Sequence, residues 1–350
     1  MLPVADMYAP DPRITFLPRD EESPGAAANR PRAQGHVCPR ELVAMSKAGG
    51  ETVSVKRIWD EGEHNAFCGF VRHEGRWWCT FREATGHVSE DGALRVIVSD
   101  DGERWRSTAL IALEGSDLRD PKLEVTPDGT LMLLAGDNRL AEGEFNRSMT
   151  WFSADGEAWH GPFIVADDGL WLWRVTWHRG VAWGVGYGVQ GGLLARLYRS
   201  RCGMRFERIE PDIYTEDYPN ETRILFLEDD TALCLLRMDG EGATGKLGRA
   251  APPYTDWRWR DLGVKIGGPE MLRLPDGRFV ACVRLYDEPV RTSLMWLDVE
   301  QATLTEFLTL PSGGDTSYAG MVWHEGLLWV AYYSSHEEKT CIYLAKVQLD

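Results

Sequence analysis

Arginine, acidic and aromatic side chains recur in this chain at equivalent places beside apolar segments. Seven residues after a repeated turn, where each apolar run ends, the sequence has Arg82, Gly136, Tyr187, Arg237, Arg284 and Tyr333. Six to eleven residues before the same turn it has His64, Asp120, Arg174, Glu221, Glu270 and Tyr318. Guanidinium groups bind anions through paired hydrogen bonds, and a tyrosine beside a carboxylate can act as a nucleophile. If the fold brings these positions together, they form a site for a polar ligand.

The elements that position these residues are six short turns, each of which opens an apolar strand. The turns end at Gly75, Gly129, Gly180, Asp230, Gly277 and Gly326, with steps of 54, 51, 50, 47 and 49 residues. The strands run over 76–81, 130–135, 181–186, 231–236, 278–283 and 327–332. This is the period of a propeller blade. The sequence therefore predicts an all-β fold, a six-bladed β-propeller of four-stranded antiparallel blades.

Hairpin geometry predicts where the site lies. In an antiparallel hairpin, the start of the first strand and the end of the second strand lie at the same end, opposite the turn. Polar residues at these two positions in every blade should converge on one face of the ring, near its axis. An arginine at the end of an apolar strand is unusual, and it occurs at the same place in two blades, as Arg237 and Arg284. This repetition favours a shared role.

A second repeat runs out of phase with the first. Residues 99–105 and 153–159 share the pattern Ser-x-Asp-Gly-x-x-Trp, and residues 200–206 are a degenerate copy. The Asp side chain can accept hydrogen bonds from its own loop, and the Gly permits a positive φ. These loops resemble the Asp boxes, or BNR repeats, of the sialidase superfamily, and they mark the fold rather than the chemistry.

Composition limits the partners and the compartment. A net charge of −16 disfavours nucleic acid and anionic membranes, so we expect a small-molecule or glycan substrate. No apolar run is long enough to cross a membrane, and no export signal is evident, so we expect a cytoplasmic protein. The seven scattered cysteines are expected to be reduced core residues. Residues 1–45 are expected to form an irregular arm, and residues 46–350 a single catalytic propeller domain.

No cofactor motif is present. The eight histidines lack a compact metal-ligand spacing, and no phosphate-binding Gly-rich loop follows a strand, so we expect neither metal nor nucleotide cofactor. The last strand, 340–347, is expected to pair with a strand near residues 52–58 and close the ring.

The positions from about 53 to 347 resemble the sialidase superfamily. Pro219-Asn220-Glu221 with Arg237, the segment ending in Arg284, and Gly314-Asp315-Thr316-Ser317-Tyr318 resemble the family's glutamate, two of its three arginines and its tyrosine. Arg119-Asp120-Pro121 resembles the segment whose aspartate contacts the sugar, and Arg82 its companion arginine. The resemblance implies a retaining exo-glycosidase. It also implies that Tyr318 is the nucleophile, that Glu221 is its base, and that Arg237 and Arg284 bind an acidic sugar.

The chain departs from the family at the first arginine. At that place it reads Glu63-His64-Asn65, which lacks the two-pronged fork of a guanidinium. The sugar is therefore an acidic or otherwise polar one, and Arg82, Asp120 and His64 would select it. The resemblance places the general acid in the loop after the first hairpin, where Asp91, Glu90 and His87 are candidates and Asp91 and His87 are favoured equally. An imidazole has the more suitable unperturbed pKa, whereas a carboxyl needs burial to raise it.

Two other functions fit the same pattern. One is a diverged carbohydrate enzyme, either a lyase or a glycosidase for uronates or rhamnose-type sugars, in which His64 is the acid or base. The other is a non-catalytic carbohydrate-binding propeller. Fold alone does not separate these functions.

Overall fold

Each of the six turns predicted from the sequence closes a β-hairpin in the computed structural model. The structure describes residues 14–16, 49–139, 145–189 and 193–350. Within these residues the hairpins pair His73 with Arg76 in the first blade and His324 with Leu327 in the last. The observed strands extend two to four residues beyond the predicted ones, since each continues to the site-facing end of its blade.

Six antiparallel sheets form the blades of a propeller, as predicted; five have four strands, and the first has a fifth strand added to its outer edge. The strands, in chain order, are β1 Ile14–Phe16, β2 Gly50–Trp59, β3 His64–His73, β4 Arg76–Ala84, β5 Ala93–Ser99, β6 Arg106–Leu113, β7 Asp117–Val125, β8 Leu131–Arg139, β9 Phe145–Ser153, β10 His160–Val165, β11 Leu170–His178, β12 Val181–Gly188, β13 Ala195–Ser200, β14 Glu207–Tyr214, β15 Pro219–Phe226, β16 Ala232–Met238, β17 Lys246–Ala250, β18 Arg258–Asp261, β19 Ile266–Arg273, β20 Phe279–Leu285, β21 Arg291–Asp298, β22 Thr303–Thr309, β23 Thr316–His324, β24 Leu327–Ser334 and β25 Cys341–Leu349. The innermost strands are β3, β7, β11, β15, β19 and β23.

The ring closes through the pairing of the two ends of the described chain. β2 pairs antiparallel with β25, with Thr52 opposite Val347, and becomes the outer strand of the sixth blade. This confirms the predicted closure. β1, which falls within the predicted arm, pairs with β6 as a fifth strand of the first blade, and the remainder of residues 1–45 lies outside the described residues.

The apolar core lies between neighbouring blades. In one cluster Trp78 of the first blade packs with Leu118 and Trp151 of the second, and all three are buried. Six of the seven cysteines lie in the described ranges, where all six are free thiols and all but Cys202 are buried. The described residues contain no helix of the length and apolar character that a membrane span requires.

The out-of-phase repeat forms matching loops on the outer hairpins. Asp101 Oδ1 accepts the backbone N–H groups of Glu103 and Arg104 at 2.8 and 2.9 Å, and Asp155 Oδ1 accepts the corresponding groups of its own loop at the same distances. In the degenerate third loop Cys202 stands at the aspartate position, and the serine contact is kept, from the Gly203 N–H to Ser200 Oγ at 2.8 Å.

Candidate active site

A cavity of about 410 Å³ opens at the end of the ring where the inner strands begin. All six blades contribute to its wall, which contains Phe67, His87, Val88, Arg119, Asp120, Asn138, Asn146, Trp171, Tyr187, Val189, Asn220, Glu221, Arg237, Arg284 and Tyr318. Six of the nine predicted site residues are in this wall, and His64, Arg82 and Asp91 are not. The predicted convergence on the axis is therefore observed for six of the twelve repeat positions, Asp120, Tyr187, Glu221, Arg237, Arg284 and Tyr318.

A β-bulge at the same place in every inner strand aims the side chains at the axis. The register shifts at residues 67–68, 120–121, 173–174, 220–221, 268–269 and 318–319. A bulge puts two residues opposite one and re-aims their side chains. Phe67, Asp120 and Tyr318 have φ angles of 68°, 52° and 51°, which is uncommon for residues other than glycine. Gly268 shares this conformation, and a Cβ there would lie 2.8 Å from the ring of Tyr318.

Buried cations bind carbonyl groups at these bulges. Arg174 donates from Nη2 to the carbonyl of Ala319 at 2.7 Å, beside Tyr318, and also pairs with Glu270. Lys122 lies 3.4 Å from the carbonyl of Phe67, and burial lowers its pKa to about 7. Buried carbonyls that lack a partner are costly, so these cations stabilise the strained backbone under the site.

Tyr318 and Glu221 lie in direct contact on the cavity floor. The Tyr318 hydroxyl donates to Glu221 Oε1 at 2.6 Å, and Arg237 Nη1 lies 2.8 Å from that carboxylate oxygen and 2.9 Å from the phenolic oxygen. The Gly268 N–H donates to Glu221 Oε2 at 2.7 Å. Burial raises the pKa of Tyr318 well above its usual value and Glu221 adds to this, while Arg237 opposes it. The resting phenol is therefore neutral, with a base already accepting its hydrogen bond.

Three guanidinium groups reach the cavity, each fixed from behind by a carboxylate. Arg237 Nε donates to Asp239 at 2.8 Å, and Arg284 Nη2 donates to Asp315 at 2.9 Å. Arg119 Nη1 lies 3.0 Å from Asp117 Oδ2.

The opposite edges of these guanidiniums are open. Arg119 Nε and Nη2, Arg237 Nη2 and Arg284 Nη1 form no hydrogen bond to any residue in the described ranges. Anchored guanidiniums with open donors are suited to bind an anionic group of a ligand.

His64, His87 and Asp315 form a cluster beside Arg284. Asp315 Oδ2 lies 3.2 Å from His64 Nε2 and 2.7 Å from His87 Nδ1, while its Oδ1 accepts from Arg284 and from Tyr333 Oη at 2.7 Å. The potential ligand atoms of the three residues lie within 4.8 Å of one another, as in a metal site. Both imidazoles bind one oxygen and a guanidinium occupies the other, so we assign the cluster as a hydrogen-bond network.

Asp120 is buried in the cavity wall with one oxygen unpartnered. Its Oδ1 has no hydrogen-bond partner among the described residues. Burial raises its pKa to about 6, against the opposing charges of Lys122 and Arg119. A buried acceptor without a donor is costly, so a hydroxyl or N–H group of a ligand would satisfy it.

Solved structures similar to this chain include glycosidases. A sialidase from Trypanosoma rangeli has a TM-score of 0.63 at 12% identity over 87% of this chain, which spans 58% of the sialidase. An α-L-arabinofuranosidase from Fusarium graminearum has a TM-score of 0.67 at 11% identity, covering 84% of this chain and 97% of that one. This chain has the propeller fold of these glycosidases.

Other comparisons are less informative about function. A Dyadobacter fermentans protein of unknown function matches with a TM-score of 0.77 at 18% identity, covering 86% of this chain and 100% of that one. No family model matches the sequence, and no curated protein matches it. At these identities the propeller glycosidase fold is what the comparisons establish, and the chemistry has to be argued from the cavity.

Arg82 differs from its predicted role in substrate binding. Its side chain is fully buried behind the cavity wall, where Nε pairs with Asp117 at 2.6 Å. Nη1 donates to the carbonyl of Gly86 at 2.7 Å and Nη2 to Ser89 Oγ at 2.9 Å. All three donor nitrogens are engaged within the protein. Arg82 therefore positions the loop that carries His87, and it does not face the cavity.

Asp91 also lies outside the cavity wall. Its carboxylate accepts the backbone N–H and the hydroxyl of Thr85, each at 3.1 Å, and so closes the loop between β4 and β5. Burial opposes ionisation, but hydrogen bonds from Ser89 and Thr85 lower the pKa of Asp91. A carboxyl with a lowered pKa is poorly suited to donate a proton near neutral pH. Of the two predicted acids, only His87 reaches the cavity.

His64 lies behind His87 rather than in the wall. The residue is 7% exposed, and its ring sits 5.4 Å from the ring of His87, at nearly a right angle. The family's first arginine thus has no counterpart on β3. Arg119, from β7 of the next blade, supplies a third guanidinium to the same cavity.

Sequence reasoning did not single out Arg119 or Asp315. Arg119 lies one residue before Asp120, and Asp315 lies three residues before Tyr318, so both are in segments that the sequence did indicate. Trp171 also lines the cavity, stacked parallel to Tyr187.

Proposed function

We propose that this chain is a retaining exo-glycosidase that hydrolyses a terminal sugar bearing an anionic group, of the sialic or ulosonic type. The observation that carries the proposal is the contact of Tyr318 with Glu221 and Arg237 on the floor of a cavity with open guanidinium donors. A tyrosine in contact with a base fits nucleophilic catalysis. The sialidase among the structural neighbours, in complex with a difluorosialic acid described as a covalent intermediate, supports the same reaction class.

In the first step Glu221 accepts the phenolic proton while Tyr318 Oη forms a bond to the anomeric carbon. The glycosidic C–O bond breaks, and His87 donates a proton to the departing oxygen. In the second step His87 accepts a proton from water, the water oxygen attacks the anomeric carbon, and Tyr318 leaves and recovers its proton from Glu221. Two displacements retain the configuration of the sugar.

His87 is placed to serve the leaving group. Its side chain is 51% exposed at the cavity wall, whereas Asp120 is buried. The aglycone of an exo-glycosidase must leave toward solvent, so a group on the exposed side is the one that can protonate it. Asp315 fixes the ring through Nδ1, which leaves Nε2 as the atom that exchanges the proton.

The sugar's anionic group would bind to the open edges of Arg119, Arg237 and Arg284. Arg284 lies over the ring of Tyr318, with its guanidinium carbon 5.0 Å from the ring centre. A charge bound there would hold the anomeric carbon close to Tyr318 Oη. Asp120 would accept a hydrogen bond from a hydroxyl or amide group elsewhere on the sugar.

A second candidate is a glycosidase for a neutral sugar such as arabinofuranose. The absence of an arginine at the cavity-facing start of β3, together with the similarity to the arabinofuranosidase, favours it. The lyase alternative is less well supported, because the buried His64 does not reach the cavity wall.

Release of a fluorophore from aryl glycosides tests these alternatives. The panel contains α-sialoside, deaminated ulosonide, glucuronide, α-L-rhamnoside and α-L-arabinofuranoside, each with wild-type protein and Tyr318→Phe. Turnover of an ulosonide that is lost in the variant supports the proposal. Turnover of the arabinofuranoside alone supports the second candidate, and binding without turnover of any substrate indicates a carbohydrate-binding propeller.

A further inference from the structure

One carboxylate, that of Asp315, joins the anion-binding arginine to the proposed acid. Its Oδ1 accepts from Arg284 Nη2 at 2.9 Å, and its Oδ2 accepts from His87 Nδ1 at 2.7 Å. Tyr333 Oη completes the contacts of Oδ1 at 2.7 Å. The nitrogen of Arg284 that is free to meet a ligand, Nη1, belongs to the same delocalised guanidinium.

Asp315 is ionised at neutral pH. Burial opposes its ionisation, but hydrogen bonds from His64, His87 and Tyr333 lower its pKa well below the usual range. Its single negative charge therefore balances the guanidinium of Arg284 when the cavity is empty. A second positive charge, on the imidazole of His64 or His87, would then lack a negative charge to balance it.

An anion bound to Arg284 changes this balance. It neutralises the guanidinium, and the charge of Asp315 becomes available to an imidazolium on its other oxygen. We infer that Asp315 is a positioning residue that couples anion binding at Arg284 to proton uptake by His87. By linkage, the anion must bind more tightly when His87 is protonated, by about tenfold for a typical coupling of this kind.

The proton goes to His87 rather than to His64. The ring of His64 is buried, and its Nδ1 has no hydrogen-bond partner among the described residues. A protonated His64 would carry an unsatisfied buried N–H group, which is costly. The half-exposed His87 can offer its Nε2 proton to water or to a leaving group.

The other groups that face His87 do not replace Asp315. Arg119 donates from Nη1 to the backbone carbonyl of His87 at 2.7 Å, and the rings of Phe67 and His64 lie beside the imidazole. Asp315 is the carboxylate that contacts His87 within the described ranges. If the chain is the glycosidase proposed above, binding of an anionic substrate promotes protonation of the acid that its leaving group needs.

Isothermal titration calorimetry tests the coupling without any turnover. N-acetylneuraminate, glucuronate and sulfate are each titrated into the full chain in MOPS and in Tris at the same pH near neutrality, since these buffers differ in ionisation enthalpy and, unlike phosphate, are not oxyanions of the kind being titrated. The difference in observed heat gives the number of protons taken up per anion bound. We expect a substantial fraction of one proton for wild-type protein, with tighter binding at lower pH.

Three variants locate the proton. Asp315→Asn and His87→Gln should each abolish the uptake, while His160→Gln, an exposed histidine in β10, should keep it. Uptake that persists in His87→Gln places the proton elsewhere and overturns the inference. Equal heats in both buffers, or no binding of any of the three anions, also overturn it. Hydrolysis of a neutral glycoside in the same preparation would count against the proposed substrate class, whereas the coupling is judged from the heats alone.

Discussion

The phenolic oxygen of Tyr318 lies 2.6 Å from Oε1 of Glu221, although 97 positions separate the two residues in the sequence. They come from inner strands two blades apart, β23 and β15, and each stands at the bulge of its strand. The contact therefore depends on the closure of the ring and on the equivalence of its bulges. Glu221 also binds Arg237, so the base of the proposed mechanism is tied to the anion site.

Replacement of His87 by glutamine should slow substrates according to their leaving groups. Without its acid, the enzyme should lose ~10²–10⁴-fold in kcat/KM on alkyl glycosides, while kcat/KM for substrates with nitrophenol leaving groups should change little, because nitrophenolate departs without a proton and kcat/KM does not include the second step. Steady-state kinetics on a series of aglycones checks this. Asp91→Asn is the informative comparison, since Asp91 binds Thr85 outside the cavity. A uniform loss across the series, or a leaving-group effect in Asp91→Asn, would contradict the assignment.

Arg119→Lys should raise KM for an anionic substrate by roughly tenfold. Lysine keeps the charge but loses the planar fork, and it cannot contact Asp117, the His87 carbonyl and a ligand together. The expected signature is a change in KM with a smaller change in kcat, and no change for a neutral analogue of the same sugar. Arg273→Lys, at the opposite end of a blade, serves as the control. Equal effects on charged and neutral substrates would contradict the role of Arg119 in binding the anion.

The order of the elements was predictable from turn chemistry and period. Six turns at steps near 50 residues predict six blades, and the seven-residue offset places Arg237 and Arg284 at the site because every second strand is apolar up to that point. Tyr318 and Glu221 were found by the same count together with the resemblance. Local sequence suffices where each blade repeats the same hairpin.

Local sequence does not specify whether a polar side chain points into the cavity or is held inside the protein behind it. Arg82 occupies the same hairpin position as Arg284, but Asp117 from the next blade meets its guanidinium and holds it inside. Gly92 makes room for that carboxylate, since a Cβ there would lie 1.8 Å from Asp117 Oδ1. Arg119 was missed because its direction depends on the bulge that follows it. These are contacts between blades, which no single repeat contains.

Asp120→Asn should change how stability depends on pH. Folding raises the pKa of Asp120 from 3.8 to about 6, so between these values the native state binds more protons than the unfolded state. Wild-type stability should therefore fall, relative to the variant, as the pH rises through this window, by about 3 kcal/mol in total. Urea unfolding at several pH values measures the difference. Parallel curves for the two proteins would show that Asp120 ionises normally in the fold.

Cys202→Asp should stabilise the protein by about 1 kcal/mol. The new carboxylate would accept the amide groups of Met204 and Arg205, as Asp101 and Asp155 do in the two intact loops. Thermal unfolding beside Cys202→Ala, which only removes the thiol, checks the gain. A variant with aspartate that is no more stable than the one with alanine would mean that the third loop cannot adopt the geometry of the other two.

The central claim is that Tyr318 attacks the anomeric carbon of an anionic sugar, and covalent trapping tests it most directly. Protein incubated with 2,3-difluorosialic acid, and with its deaminated analogue, is examined by intact mass spectrometry and then by peptide mapping. We predict one added fluorosugar per chain, located on Tyr318, and no adduct in Tyr318→Phe. An adduct on Glu221 or another residue would contradict the claim, as would unmodified protein that still hydrolyses an ulosonide.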